Sequence, residues 1–145
     1  MSVREKWSKQ KPLKVSHDEL KDIVLSILRE NPQILISYLF GSTVKGTFKE
    51  YSDIDIAIYT SKDFSWSDFY QLYGDLTKKI HSDRVDLVWL NKAEPILCFE
   101  IIKTGRVFFY RDEDVLNDFE FKTKKRYYDY IIYLRKHRSY RDSGL

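Results

Sequence analysis

Apolar residues fall at helical spacing over Ser16–Glu30, where Leu20, Ile23, Val24, Ile27 and Leu28 make one stripe. Ser16 with Glu19 fits a capping box at its start, and Asn31-Pro32 stops it. The pattern then becomes a short apolar run, Ile34 to Phe40, which predicts a buried strand. Gly41-Ser42 turns the chain, and residues 47–52 form a polar loop. Asp53 to Tyr59 alternates acid and isoleucine, a second strand. Trp66 to Ile80 is helical, with Phe69, Leu72, Tyr73 and Leu76 on one side. A third strand is expected over Arg84–Leu90, a helix over Glu94–Thr104 with Gly105 near its C-cap, and a short strand over Val107–Tyr110. Asp112 to about His137 is mostly helical, in one piece or two. Helices alternating with strands predict an α/β fold, a small sheet flanked by helices. The first two strands are joined by too short a connection for a simple crossover, so the sheet is expected to be mixed.

Composition changes this picture little. The 145 residues fit one domain, with residues 1–14 as a flexible basic arm and 15–145 as the folded unit. The apolar runs are too short to span a bilayer, and the N-terminus lacks the apolar core of a secretory signal. A single cysteine, Cys98, permits no internal disulfide, and the expected location is the cytoplasm, with no membrane partner. Charge is more informative. Of the net +3, residues 1–14 carry +4 and residues 122–145 carry +6, so the centre carries −7. An acidic centre between basic ends suits a metal site flanked by anion-attracting surfaces, and equally a chain whose charged ends are simply solvated.

The chemistry concentrates in the second strand. Aspartate is a poor strand former, and an unpaired carboxylate beside a core is costly. Residues i and i+2 of a strand share a face, so Asp53 and Asp55 point together while Ile54, Ile56 and Ile58 pack behind them. Two carboxylates so placed repel unless a cation or proton lies between them, and a hard divalent ion with oxygen ligands is the natural occupant. Asp86 in "RVDLVWL" has the same setting and would join them if the second and third strands pair. Gly41-Ser42-Thr43-Val44-Lys45-Gly46 adds a tight turn, a hydroxyl donor and a positive charge, a plausible cradle for a triphosphate. The Gly-Lys-Ser/Thr ending of a Walker A loop is missing.

"GSTVKG" followed by "YSDIDIAIY" resembles the G-S-x-x-x-G … S-D-x-D signature of the DNA polymerase β-like nucleotidyltransferase superfamily. With "VDLVWLNKAEPILCFEIIKTGRVFFYRDE" after the third acid, residues 16 to 135 look like its minimal nucleotidyltransferases, the MNT-type (MntA-like) antitoxins paired with HEPN-domain toxins. The resemblance implies the polymerase β-like nucleotidyltransferase fold and transfer of AMP from ATP to a tyrosine hydroxyl of a HEPN-type RNase toxin. It implies that Asp53, Asp55 and Asp86 are catalytic and hold Mg²⁺ (or Mn²⁺), with Asp86 near the incoming hydroxyl. Gly41 and Ser42 would hold the β- and γ-phosphates, with Lys45 and Gly46 in the same nucleotide-binding turn. Many such antitoxins carry Arg where this chain has Lys45, which offers a point charge rather than a planar fork. Two other readings stand beside this one. The same chemistry serves an aminoglycoside or an RNA 3′ end, and a chain with vestigial nucleotide binding could neutralise a toxin by direct contact.

The stretch "KTKKRYYDYIIYLRKHR" places Tyr127, Tyr130, Ile131 and Leu134 on one helical side, a core or partner-docking stripe, while its basic-aromatic interleaving also fits RNA. Cys98 reads as a small buried hydrophobe. The three histidines show no zinc-ligand spacing, and Tyr110 and Arg111 carry no assignable role.

Overall fold

The computed structural model describes residues 17–41, 54–80 and 84–142. Helix α1 spans His17–Glu30 and strand β1 Ile34–Leu39. Strand β2 spans Ile54–Thr60, helix α2 Trp66–Ile80 and strand β3 Val85–Trp89. A 3₁₀ turn at Leu90–Lys92 leads to helix α3, Pro95–Thr104. Strand β4, Arg106–Tyr110, precedes helix α4, Glu113–Asp142. The basic arm, the Ser16 cap and the loop at 47–52 lie outside the described residues.

The four strands form one mixed sheet in the order β3-β2-β1-β4. The central strand β1 is antiparallel to both β2 and β4, and β2 is parallel to β3. Alternation assigns the faces. Ile54, Ile56 and Ile58 pack with Val85 and Trp89 under the apolar stripes of α1 (Leu20, Val24, Leu28) and α2 (Leu72, Leu76, Ile80). Ala57, Ile36 and Tyr38 face the other way, against Cys98 and Ile101 of α3 and Phe119 of α4. A register irregularity between Ile34 and Ile36 shifts the parity, so Ile34 joins the first core and Ile36 the second.

Local chemistry explains the element ends. At the start of α2 the Asp68 N–H donates to Ser65 Oγ (3.1 Å), and the Asp68 carboxylate accepts from the Ser65 N–H (2.9 Å), a reciprocal cap. Pro95 opens α3, where its missing N–H costs nothing. Gly105 closes α3, and its N–H donates to Ile101 O at 2.8 Å. A Cβ there would lie 2.5 Å from Ile101 O and 2.8 Å from Leu39 O, so only glycine lets α3 end against β1.

Two further links hold the layers. Tyr38, 1% exposed, donates its phenol to Glu120 Oε1 at 2.7 Å, tying α4 to the C-terminal half of β1. Burial, then that hydrogen bond and the Glu120 charge, push the phenol far above its ordinary pKa, so it stays neutral. Arg111, just after β4, donates Nε to Ile34 O (2.7 Å) and Nη2 to Leu28 O (3.1 Å), Arg29 O (3.2 Å) and Asn31 O (2.8 Å). Its guanidinium therefore ties the last turn of α1 and the turn after it to the start of β1, sharing Leu28 O and Asn31 O with backbone N–H donors. Cys98 is buried, and burial pushes its thiol up.

Candidate functional site

In the parallel pairing of β2 with β3, Asp55 lies directly opposite Asp86. Residues opposite one another in a ladder share a face, about 4.8 Å apart. Both carboxylates therefore rise from the face that α3 and α4 cover, with Ala57 and Val88 next along it. They sit at the N-terminal ends of their strands. Helix α3 starts beyond the C-terminal end of β3 and finishes at Gly105, against Leu39 at the end of β1. It therefore ends at the same end of the sheet as Asp55, one strand away, beside Phe40. Asp55 is half-buried and Asp86 exposed.

Several contacts fix this register. The Phe40 N–H donates to Asp55 O (3.2 Å), and the Ile54 N–H donates to Arg84 O (2.9 Å). At the far end of the strands, Asn91 Oδ1 accepts from the Thr60 N–H and Asn91 Nδ2 donates to Thr60 O, each at 2.9 Å. Trp89 Nε1 donates to Thr60 Oγ1 at 3.0 Å. A one-residue slip of β3 along β2 would break the contacts of Arg84, Trp89 and Asn91 and turn Val85 and Trp89 out of the core.

Gly41 completes the described part of the site. Its φ of +62° is the left-handed conformation that favours glycine. A Cβ built there would overlap Oδ2 of Asp55 and lie 3.1 Å from its Cγ. The backbone turn that leaves β1 is thus seated on the Asp55 carboxylate, and only a residue without a side chain brings the two so close.

Of the sequence-predicted site residues, the structure brings together Asp55, Asp86 and Gly41. Asp53, Ser42, Lys45 and Gly46 lie outside the described residues. Among the described residues no three acidic, histidine or cysteine side chains gather into a metal-binding group. The two described carboxylates supply hard oxygen donors next to solvent, which fits a Mg²⁺-type ion that retains several waters. Carboxylates that share a face on neighbouring strands favour a cation between them. Sequence reasoning gave no role to Arg84, which is 4% exposed and enters β3 two residues ahead of Asp86. Nothing in the one-dimensional pattern separates it from a solvated arginine. A hollow between α1 and β4, lined by Leu25, Arg29 and Phe108 to Arg111, lies at the opposite end of the sheet from these groups.

Residues 22–114 match the family model described as polymerase beta, nucleotidyltransferase. The protein adenylyltransferase MntA of Shewanella oneidensis is 34% identical over 92 residues, which span 63% of this chain and 66% of that protein. A crystal structure of a toxin-antitoxin with AMP-PNP contains a chain that superposes with a TM-score of 0.69 at 28% identity, covering 86% of this chain and 98% of that one. A chain from the complex of tri-AMPylated Shewanella oneidensis HEPN toxin with MNT antitoxin superposes with a TM-score of 0.67 at 26% identity, covering 90% of this chain and 100% of that one.

Proposed function

The chain belongs to the polymerase beta nucleotidyltransferase family, and from that premise we propose that it transfers AMP from ATP to a tyrosine hydroxyl of a HEPN-type RNase toxin, as the antitoxin of a toxin–antitoxin pair. The observation that carries this reading is the register pairing of Asp55 with the exposed Asp86, with the Gly41 turn against Asp55. The substrate and partner follow the relatives, which include a protein adenylyltransferase and chains solved in complexes with a toxin.

The acceptor hydroxyl attacks the α-phosphorus of ATP. An oxygen–phosphorus bond forms as the bond to pyrophosphate breaks in line, and no covalent enzyme intermediate is needed. Asp53, Asp55 and Asp86 would hold Mg²⁺ or Mn²⁺. When bound, the metal lowers the hydroxyl pKa and neutralises charge on the transferring phosphoryl group. Asp86, open to solvent, faces the incoming hydroxyl and favours loss of its proton. Gly41 and Ser42 receive the β- and γ-phosphates through backbone and hydroxyl donors, with Lys45 as a point charge and Gly46 closing the turn. The basic arm at 1–14 and the folded unit at 15–145 are part of the same reading. Among the described residues no helix is long and apolar enough to cross a membrane. We place the reaction in the cytoplasm, where ATP is supplied.

The test is the intact mass of the HEPN-type toxin after incubation with this protein, ATP and Mg²⁺. A gain of one or more AMP units is expected. Asp55→Asn and Asp86→Asn should each abolish the gain without unfolding the domain. No gain with the natural sequence, or a gain that survives both substitutions, would overturn the reading.

A further inference from the structure

Helix α4 runs for 30 residues, and the fold uses mainly its inner side, with Tyr128 reaching Phe99 edge-on at 6.0 Å. Phe119 packs on Tyr59 (ring centroids 4.4 Å apart), and Thr123 is buried. Tyr127 stacks on Phe99 of α3 at 3.9 Å with the rings 4° from parallel. Arg126 Nη2 donates to Ala93 O at 2.8 Å. The opposite side carries large apolar groups in the open, with Phe121 68%, Tyr128 58% and Ile132 50% exposed. At 3.6 residues per turn these three fall within about 20° of one line. That line points away from the buried Phe119 and Thr123. Scattered apolar residues on a surface are ordinary, but a solvated helix side would carry polar groups at such positions.

Charge says what would cover it. Residues 121–136 hold six Lys/Arg and one Asp. Lys124, Lys125, Arg135 and Lys136 fall on the two flanks of the stripe. An apolar centre with a cationic rim fits a surface with an apolar centre and an acidic rim.

Position gives the surface a purpose. The inner contacts of α4 run from the second core through Tyr59 at the end of β2 to Ala93 beyond the end of β3. The exposed half therefore emerges beyond the C-terminal end of β3, on the sheet face that presents Asp55 and Asp86 but at the other end of the strands from them. We propose that the Phe121–Tyr128–Ile132 stripe of α4 docks an apolar, acid-rimmed face of the protein that accepts AMP, on the side of the sheet that carries Asp55 and Asp86. This rests on the function proposed above. A protein is favoured over RNA because Ile132 offers no ring for base stacking and apolar side chains continue around the helix at Tyr133 and Leu134.

Docking is read without transfer. The full chain carrying Asp55→Asn is titrated with the HEPN-type toxin by calorimetry, alone and with either Tyr128→Glu/Ile132→Glu or Lys124→Glu/Lys125→Glu. All four added positions are exposed, and melting curves report any loss of fold. Each pair should weaken binding by roughly thirtyfold, as loss of an interface hot spot does. With Asp55 restored, the KM for toxin should rise by the same factor while kcat and the KM for ATP stay unchanged. Unchanged toxin affinity in both folded variants would overturn the proposal. So would variants that keep toxin binding but lose a single-stranded RNA oligonucleotide, or that only convert a self-associated chain to monomer in sedimentation. If the toxin binds with the expected loss in both variants but gains no AMP, the docking surface stands and the transfer reading falls.

Discussion

Replacing Gly41 with alanine separates the stability of the turn from the placement of the Asp55 carboxylate. A backbone held at φ +62° costs an alanine about 1–2 kcal/mol. The new Cβ would meet Oδ2 of Asp55, the end of a side chain rather than a piece of backbone. The fold can therefore absorb the overlap by turning the carboxylate away, and the stability loss should stay near the backbone cost. For a domain of this size that is a drop of about 3–6 °C in Tm. Activity should suffer more. A reacting group displaced by about 1 Å costs about a hundredfold in rate, equivalent to about 2.7 kcal/mol of transition-state stabilisation. Gly41→Asn sharpens the test, because asparagine tolerates the left-handed conformation but brings the same Cβ. It should recover most of the stability and little of the activity. The assay is transfer of label from α-labelled ATP to the toxin, with denaturant unfolding of the same preparations. If Gly41→Ala kept kcat/KM within about threefold of the natural protein while losing the expected stability, the contact would not be what positions Asp55.

Three other expectations follow from the fold. Gly105→Ala meets backbone carbonyls rather than a movable side chain, so it should cost about 3 kcal/mol by denaturant unfolding. Tyr38→Phe removes a hydrogen bond to a carboxylate and should cost about 1–2 kcal/mol at neutral pH. Because the folded-state pKa of Tyr38 is raised, its contribution is complete below the unfolded phenol pKa of about 10. It is lost at higher pH with a slope of about 1.4 kcal/mol per pH unit, and Tyr38→Phe should lack that part of the alkaline decline in unfolding titrations. Arg111→Met takes a donor from four carbonyls, of which Leu28 O and Asn31 O keep a backbone N–H, and should cost about 2 kcal/mol, with the KM for ATP unchanged because Arg111 lies at the opposite end of β1 from Gly41.

Much of this was legible in one dimension because local periodicity and tertiary burial agree. The expected helix over Trp66–Ile80 is present with those bounds. The isoleucine–aspartate alternation in β2 sorts its side chains to opposite faces, as the Ile54–Ile58 core requires. The mixed sheet is present, and the shared face of Asp55 and Asp86 follows from a β2–β3 pairing that the spacing could only make conditional. What could not be read is non-local. Helix α4 is one continuous element rather than two pieces. Its apolar stripe of Tyr127, Tyr130, Ile131 and Leu134 packs only in part, because the fold ends beneath Leu134, which is 39% exposed. The apolar positions that face outward broke the periodicity from which its continuity would have been inferred. Arg111 acts through backbone carbonyls some 80 residues away, and carbonyls carry no sequence signature. The partners of Tyr38 and Gly105 likewise depend on how strands and helices cross rather than on neighbours in the chain.

The arginine that follows the fourth strand makes the first helix answer to the last strand. Its guanidinium can reach the end of α1 only after β4 has settled beside β1, so a latch near position 111 secures an element made at the chain's other end. Closing so long a loop is entropically expensive and comes late in assembly. Amide exchange in the final turn of α1 would then report on completion of the sheet rather than on fraying of a solitary helix.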